Sequence, residues 1–191
     1  MLIVKTVECE NDSRSRHESS HNLLSQMLSL YTKYSYSQLE KDENGKPFIN
    51  GTAFSISHSY CASCVALVID EQEVDDAIIV DAKACSSCVG VDIETVADKS
   101  VERCKKIAQQ KFYESEIELL MKCSCDDEYI KLFCLMWTQK ESYSKFTGVG
   151  LKDALRFDTT QKNVDFKIYS EIIVVNNQSF AMSVCYNSDI E

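Results

Sequence analysis

Apolar and polar positions change period several times along the chain, and each change marks an element. Met1-Leu2-Ile3-Val4-Lys5 reads as the start of a strand, and Leu24, Met27, Leu28 and Tyr31 fall on one face of a helix over 17–31. Lys41-Asp42-Glu43-Asn44-Gly45 is a turn. Apolar strands follow near 53–57 and 61–69, and a third around 77–80 is expected to pair back across the acidic run Asp70-Glu71-Gln72-Glu73-Val74-Asp75-Asp76. A strand at 88–94 opens the second half, and helices are predicted near 99–110, 114–122 and 127–146. Thr147-Gly148-Val149-Gly150 stops the last helix. Strands near 164–174 and 179–186 close the chain, with Asn176-Asn177 as their hairpin turn. Each half thus reads as helices on one face of a small, mainly antiparallel sheet, an α+β fold divided into an N-terminal lobe, 1–87, and a C-terminal lobe, 88–191.

Composition narrows the function classes. With 191 residues, 45% of them hydrophobic, the chain can bury a sizeable core. A formal net charge of −10 argues against a nucleic-acid role, because binding a phosphate backbone needs local basicity. No stretch approaches a membrane span, and the N-terminus lacks a signal-peptide design, so a cytoplasmic protein with no membrane partner is expected. One proline and five glycines leave no room for a flexible linker. The chain has ten cysteines, most among apolar neighbours, where a free thiol behaves as a small hydrophobe. Cys61-x-x-Cys64 and Cys85-x-x-Cys88 are twenty residues apart, at the edge of zinc-site spacing. Both units adjoin strands and lack the Gly-rich turns of zinc knuckles, which favours reduced structural thiols.

Two acidic segments carry the candidate chemistry. In Val89-Gly90-Val91-Asp92-Ile93-Glu94 the alternation puts Asp92 and Glu94 on one strand face, roughly 7 Å apart at Cα. Two such carboxylates repel each other unless a cation stands before them. In the helix, Ile130, Phe133, Cys134, Trp137, Glu141 and Lys145 share one face, so an apolar stripe ends in a glutamate and a lysine. These two form either a simple i,i+4 ion pair or part of a site. A strand pair plus a helix glutamate would make an oxygen-rich site for a hard cation such as Mg²⁺, usually completed by a phosphate.

The Gly-Val-Asp-Ile-Glu strand and the Trp137-Thr138-Gln139-Lys140-Glu141-Ser142-Tyr143-Ser144-Lys145 helix resemble the signature of the 4′-phosphopantetheinyl transferases, and more narrowly their surfactin-synthetase-activating type. Gly45-Lys46-Pro47 ahead of Phe54-Ser55-Ile56-Ser57-His58-Ser59 is similar to a further family block. Phe112-Tyr113-Glu114-Ser115-Glu116 is similar to the family's aromatic-x-x-x-Glu segment. The four matches keep the family's order over 45–151. The N-terminal region departs from the pattern, offering only Arg14 and Arg16 ahead of His17 and His21 where the family has several basic residues.

The resemblance implies two similar lobes related by a pseudo-twofold, with the site between them. It implies transfer of the 4′-phosphopantetheine arm of coenzyme A to a serine of an apo acyl, peptidyl or polyketide carrier protein, releasing 3′,5′-ADP. Asp92, Glu94 and Glu141 would hold Mg²⁺. Lys46, Ser57, His58, Lys145 and Arg16 would bind coenzyme A. Glu116 would be the general base, and Glu141 and Lys145 would act on the reacting phosphate. A first half preceding the Asp92 strand implies a monomer whose site lies between its own lobes. The competing readings are a non-catalytic module that binds coenzyme A or a carrier protein, and a zinc-stabilised interaction domain. Lys105, Lys106, Lys111 and Lys122, interleaved with Ile107, Phe112 and Tyr113, form the candidate surface for an acidic carrier.

Overall fold

The computed structural model describes residues 1–42, 47–69, 89–97, 99–188 and 190. Two three-stranded antiparallel sheets share one topology. In the first, β1 (Leu2–Glu8) leads into helix α1 (Ser13–Tyr31), and the chain returns through β4 (Ala53–Ser59) and β5 (Ala62–Val68). In the second, β6 (Val89–Thr95) leads into α2 (Val101–Lys111), α3 (Glu114–Leu120) and α4 (Asp126–Thr147), then returns through β7 (Phe166–Val175) and β8 (Gln178–Asn187). Strand orders are β1-β5-β4 and β6-β8-β7, so in each sheet the last strand lies in the middle. A 3-10 turn at Tyr36–Gln38, a two-residue ladder, β2 (Glu40–Lys41) on β3 (Pro47–Phe48), and a single turn, α5 (Leu151–Ala154), complete the described elements. The α+β class read from the sequence is the class observed.

Period-2 alternation sorts the strands between layers. Val65 and Leu67 face α1, joining Leu23, Leu24, Met27, Leu28 and Phe54 in one core. Ala62, Cys64 and Ala66 point the other way, onto Val91, Ile93, Phe180, Met182 and Val184 of the second sheet. The two sheets therefore pack face to face, with α1 outside one and α2–α4 outside the other. Each fully buried aliphatic side chain stabilises this arrangement by about 1.5–3 kcal/mol.

Local signals explain the boundaries. Helix α1 begins at Ser13, four residues before the start read from the sequence, because the Asp12 carboxylate accepts from the N–H groups of Arg14 and Ser15. Helix α4 ends where Gly148 takes φ +73°, its N–H donating to Ser144 O. Asn176 and Asn177 both have positive φ, the pairing that a two-residue hairpin turn between twisted strands requires. Cys64 is fully buried, its thiol on Met182 Sδ and pushed up to about 12 by burial. Zinc binds thiolate, and burial in this apolar setting opposes one at Cys64. Lys46, Cys85, Cys88, the acidic run, the strand expected at 77–80 and the 87/88 lobe boundary lie outside the described residues.

Candidate active-site cleft

Gly90 determines how closely α4 approaches β6. A Cβ there would stand 2.0 Å from Ser142 O and 2.5 Å from Phe146 N, both backbone atoms of the helix. Ser142 and Ser144, small and buried, continue the close approach from the helix side. A buried hydroxyl chain fixes the helix on the sheet: Thr138 Oγ1 meets Ser183 Oγ at 2.7 Å, and Ser183 meets Ser170 at 2.9 Å. This packing presents the last turns of α4, with Glu141 and Lys145, to the Asp92 face of β6.

The cleft has a volume of about 360 Å³, within the range of small-molecule sites. It is lined by His17, Ser20 and His21 of α1, Pro47 of β3, Ile56, Ser57 and His58 of β4, Asp92, Ile93 and Glu94 of β6, and Trp137, Glu141 and Lys145 of α4. Of the residues singled out from the sequence, Ser57, His58, Asp92, Glu94, Glu141 and Lys145 thus come together on one surface between the two sheets.

The charges in the cleft are unevenly compensated. Burial raises the Asp92 carboxyl above the ordinary range, opposed by Lys145 and by a hydrogen bond from Ser57 and reinforced by Glu94. Glu141 is pushed up to about 6, first by burial and then by the negative charge of Asp92. Lys145 Nζ donates to Asp92 Oδ1 at 2.9 Å, to Val91 O at 2.9 Å and to Ile56 O at 3.3 Å, bridging β4 and β6. Lys99 pairs with Glu94 Oε1. Among the described residues, no three His, Cys, Asp or Glu side chains stand grouped to hold a metal ion; Lys145 pairs with Asp92 and Lys99 with Glu94.

Two expected residues stand elsewhere. Glu116 is fully buried and absent from the cleft lining. Its Oε1 pairs with Lys140 Nζ at 2.9 Å and accepts from Thr159 N–H and Oγ1, while Oε2 accepts from Tyr113 N–H. With both oxygens engaged inside the C-terminal sheet's helical layer, Glu116 is placed as half of a buried ion pair and not as a base within reach of the cleft. Burial lowers the Lys140 ammonium, and Glu116 opposes that shift. Arg16 does not line the cleft: its Nη1 donates to Asn11 Oδ1 at 2.8 Å and to Tyr60 O at 3.3 Å. Its charge is nonetheless felt at His58, which burial lowers most and Arg16 and Lys145 lower further.

The sequence reading gave no role to His17 and His21, whose rings stack at 4.1 Å on α1. With His58 they bring all three histidines of the chain to one cleft. Their i,i+4 spacing was the available signal. Burial and the neighbouring His17 lower His21, and its Nδ1 meets the Tyr36 hydroxyl.

Comparison with known proteins gives the family of the chain. Residues 88–186 match the profile of the 4′-phosphopantetheinyl transferase superfamily, more than half of the chain. The L-aminoadipate-semialdehyde dehydrogenase-phosphopantetheinyl transferase of Saccharomyces cerevisiae is 28% identical over 156 residues, which are 75% of this chain and 52% of the yeast protein. The 4′-phosphopantetheinyl transferase gsp of Aneurinibacillus migulanus is 32% identical over 112 residues, 58% of this chain and 38% of that protein. The chain belongs to the 4′-phosphopantetheinyl transferase superfamily. It spans about half or less of the length of these two relatives.

Proposed function

We propose that this protein moves the 4′-phosphopantetheine arm of coenzyme A onto a serine of an apo acyl, peptidyl or polyketide carrier protein and releases 3′,5′-ADP. One observation carries the proposal: a single cleft between the two sheets gathers three carboxylates, a lysine and three histidines from α1, β4, β6 and α4. In the reaction the carrier serine oxygen attacks the pyrophosphate phosphorus on the pantetheine side, and the bond from that phosphorus to the 3′,5′-ADP oxygen breaks. Charge builds on phosphate oxygens, so the catalyst chiefly positions and neutralises.

Asp92, Glu94 and Glu141 would hold Mg²⁺. The three line one cleft and are oxygen donors of the kind a hard cation prefers, and burial together with repulsion from neighbouring carboxylates raises the carboxyls of Asp92 and Glu141 in spite of Lys145. A divalent cation there would neutralise the pyrophosphate and its developing charge. His58, His17 and His21 face the same space and would donate to phosphate oxygens, and His21 and His58, both lowered chiefly by burial, would take up a proton as an anion binds. Lys145, freed from the strand carbonyls or shared with them, would meet the leaving phosphate. Ser57 is better read as a partner of Asp92 than as a contact to coenzyme A, since its hydroxyl donates there at 2.8 Å. The cleft is built from one chain, which supports a monomer.

Incubation with coenzyme A, Mg²⁺ and a panel of apo carrier domains, followed by intact mass, tests the proposal. We expect one phosphopantetheine added to at least one carrier, abolished by a chelator. No addition to any carrier would overturn the transfer, and addition undiminished by the chelator would overturn the cation assignment.

A further inference from the structure

The two sheets do not join through backbone pairing at the cleft. Strand β4 runs alongside β6 with a constant offset, and it offers hydroxyls where a sheet neighbour would offer carbonyls. Val91 N–H donates to Ser55 Oγ at 3.0 Å, Ile93 N–H to Ser57 Oγ at 3.3 Å and Thr95 N–H to Ser59 Oγ at 3.1 Å. The period of two matches on both strands, so three alternate serines satisfy three alternate amides of β6. Each hydroxyl keeps a proton to donate. Ser57 gives its proton to Asp92 Oδ1 at 2.8 Å, and Ser59 gives its proton to Glu94 Oε2 at 3.1 Å.

We propose that Ser57 and Ser59 are positioning residues for the carboxylates of β6. Each clamps one acid by a two-point grip, accepting from the amide that follows the acid in sequence and donating to the acid's own side chain. The grip fixes both the strand and the side-chain rotamer. It also leaves the second oxygen of Asp92 outside the serine contact. Ser55 has the backbone half of the grip alone, because Gly90 carries no side chain to receive its proton. It holds the lobes together without touching a carboxylate, which makes it an internal control.

This inference rests on the reading of Asp92 and Glu94 as cation ligands, and outer partners of that kind are worth about 10–100-fold in metal affinity. The test is Mn²⁺ binding to the full chain, read by electron paramagnetic resonance without coenzyme A or carrier, beside thermal melting of each variant in chelator. Ser57→Ala and Ser59→Ala are expected to weaken Mn²⁺ about 10-fold or more. Ser55→Ala is expected to melt earlier, as Ser57→Ala does, and to bind Mn²⁺ as the wild type. Ser57→Thr, which restores the hydroxyl, is expected to recover affinity relative to Ser57→Ala. Equal Mn²⁺ affinity in wild type, Ser57→Ala and Ser59→Ala would overturn the positioning role alone. Equal weakening by Ser55→Ala would reduce the serines to a structural seam and overturn it too. No Mn²⁺ binding by the wild type would overturn the cation reading, and this inference with it.

Discussion

A residue held for chemistry often costs the fold stability, and Glu141 is the place to look. Its carboxyl is pushed up to about 6 by burial and by Asp92, against an ordinary value of 4.5. A folded value above the unfolded one means the group favours folding only while protonated. Its contribution is fully present below about pH 4.5 and is lost as pH rises through about 6. Glu141→Gln should therefore melt at a higher temperature than the wild type at pH 7.5 in chelator, and the gain should shrink as pH falls through 6 and vanish near 4.5. Added Mg²⁺ should raise the melting temperature of the wild type and leave Glu141→Gln almost unmoved, while transfer by the variant falls by orders of magnitude. A variant no more stable than wild type at pH 7.5 would contradict the electrostatic reading of the cleft.

At the scale of elements, contact between β6 and α4 decides the geometry. Gly90→Ala must push backbone off backbone, since its Cβ would meet Ser142 O at 2.0 Å. Overpacking of this kind costs about 1–3 kcal/mol. The larger effect should be on turnover: a misplacement near 1 Å costs about 100-fold. Urea midpoints and kcat/KM on the same preparation check this, and near-normal turnover would show that the helix can shift without moving Glu141. A second contact, Lys140 with Glu116, ties α4 to α3 and to the segment at Thr159. Both side chains are fully buried, so Glu116→Ala leaves an uncompensated charge and should cost about 3–5 kcal/mol. The double replacement Glu116→Leu with Lys140→Met should recover much of that stability. A Glu116→Gln variant that folds normally and loses only the pH dependence of transfer would restore Glu116 as a base. The helices and strands were legible because apolar periodicity, Gly148 and the Asn176-Asn177 turn are local signals. The acids of the cleft were legible because a strand and a helix each have a fixed period. The serine clamp, the engagement of Glu116 by Lys140 and the convergence of His17 and His21 on His58 were not. They depend on which elements meet across more than 20 residues, and no single element's period contains that information.

At the scale of the whole molecule, charge decides how partners arrive. The chain carries a net −10, and both coenzyme A and an acidic carrier would meet long-range repulsion, strongest at low salt. Productive docking then depends on a local basic or apolar surface leading into the cleft. The structure offers one: a groove lined by Lys99, Arg103, Ile107, Phe133 and Trp137 that shares Glu94 and Trp137 with the cleft. Of the lysines noted in the sequence, Lys105 lies over the Tyr129 ring, while Lys106 and Lys111 are exposed on α2. Arg103 borders the groove and is exposed, so it can meet an acidic partner without being committed to Glu94 as Lys99 is. Arg103→Glu should raise the KM for the carrier about 10-fold, the effect of roughly 1.4 kcal/mol, and leave the KM for coenzyme A within about twofold. Lys106→Glu with Lys111→Glu should give a smaller carrier effect that fades at high salt, as rim charges do. Steady-state kinetics at two ionic strengths separates these outcomes. Equal changes in both KM values for Arg103→Glu would mean the groove belongs to coenzyme A, and no change in either would move the carrier to another face of the molecule.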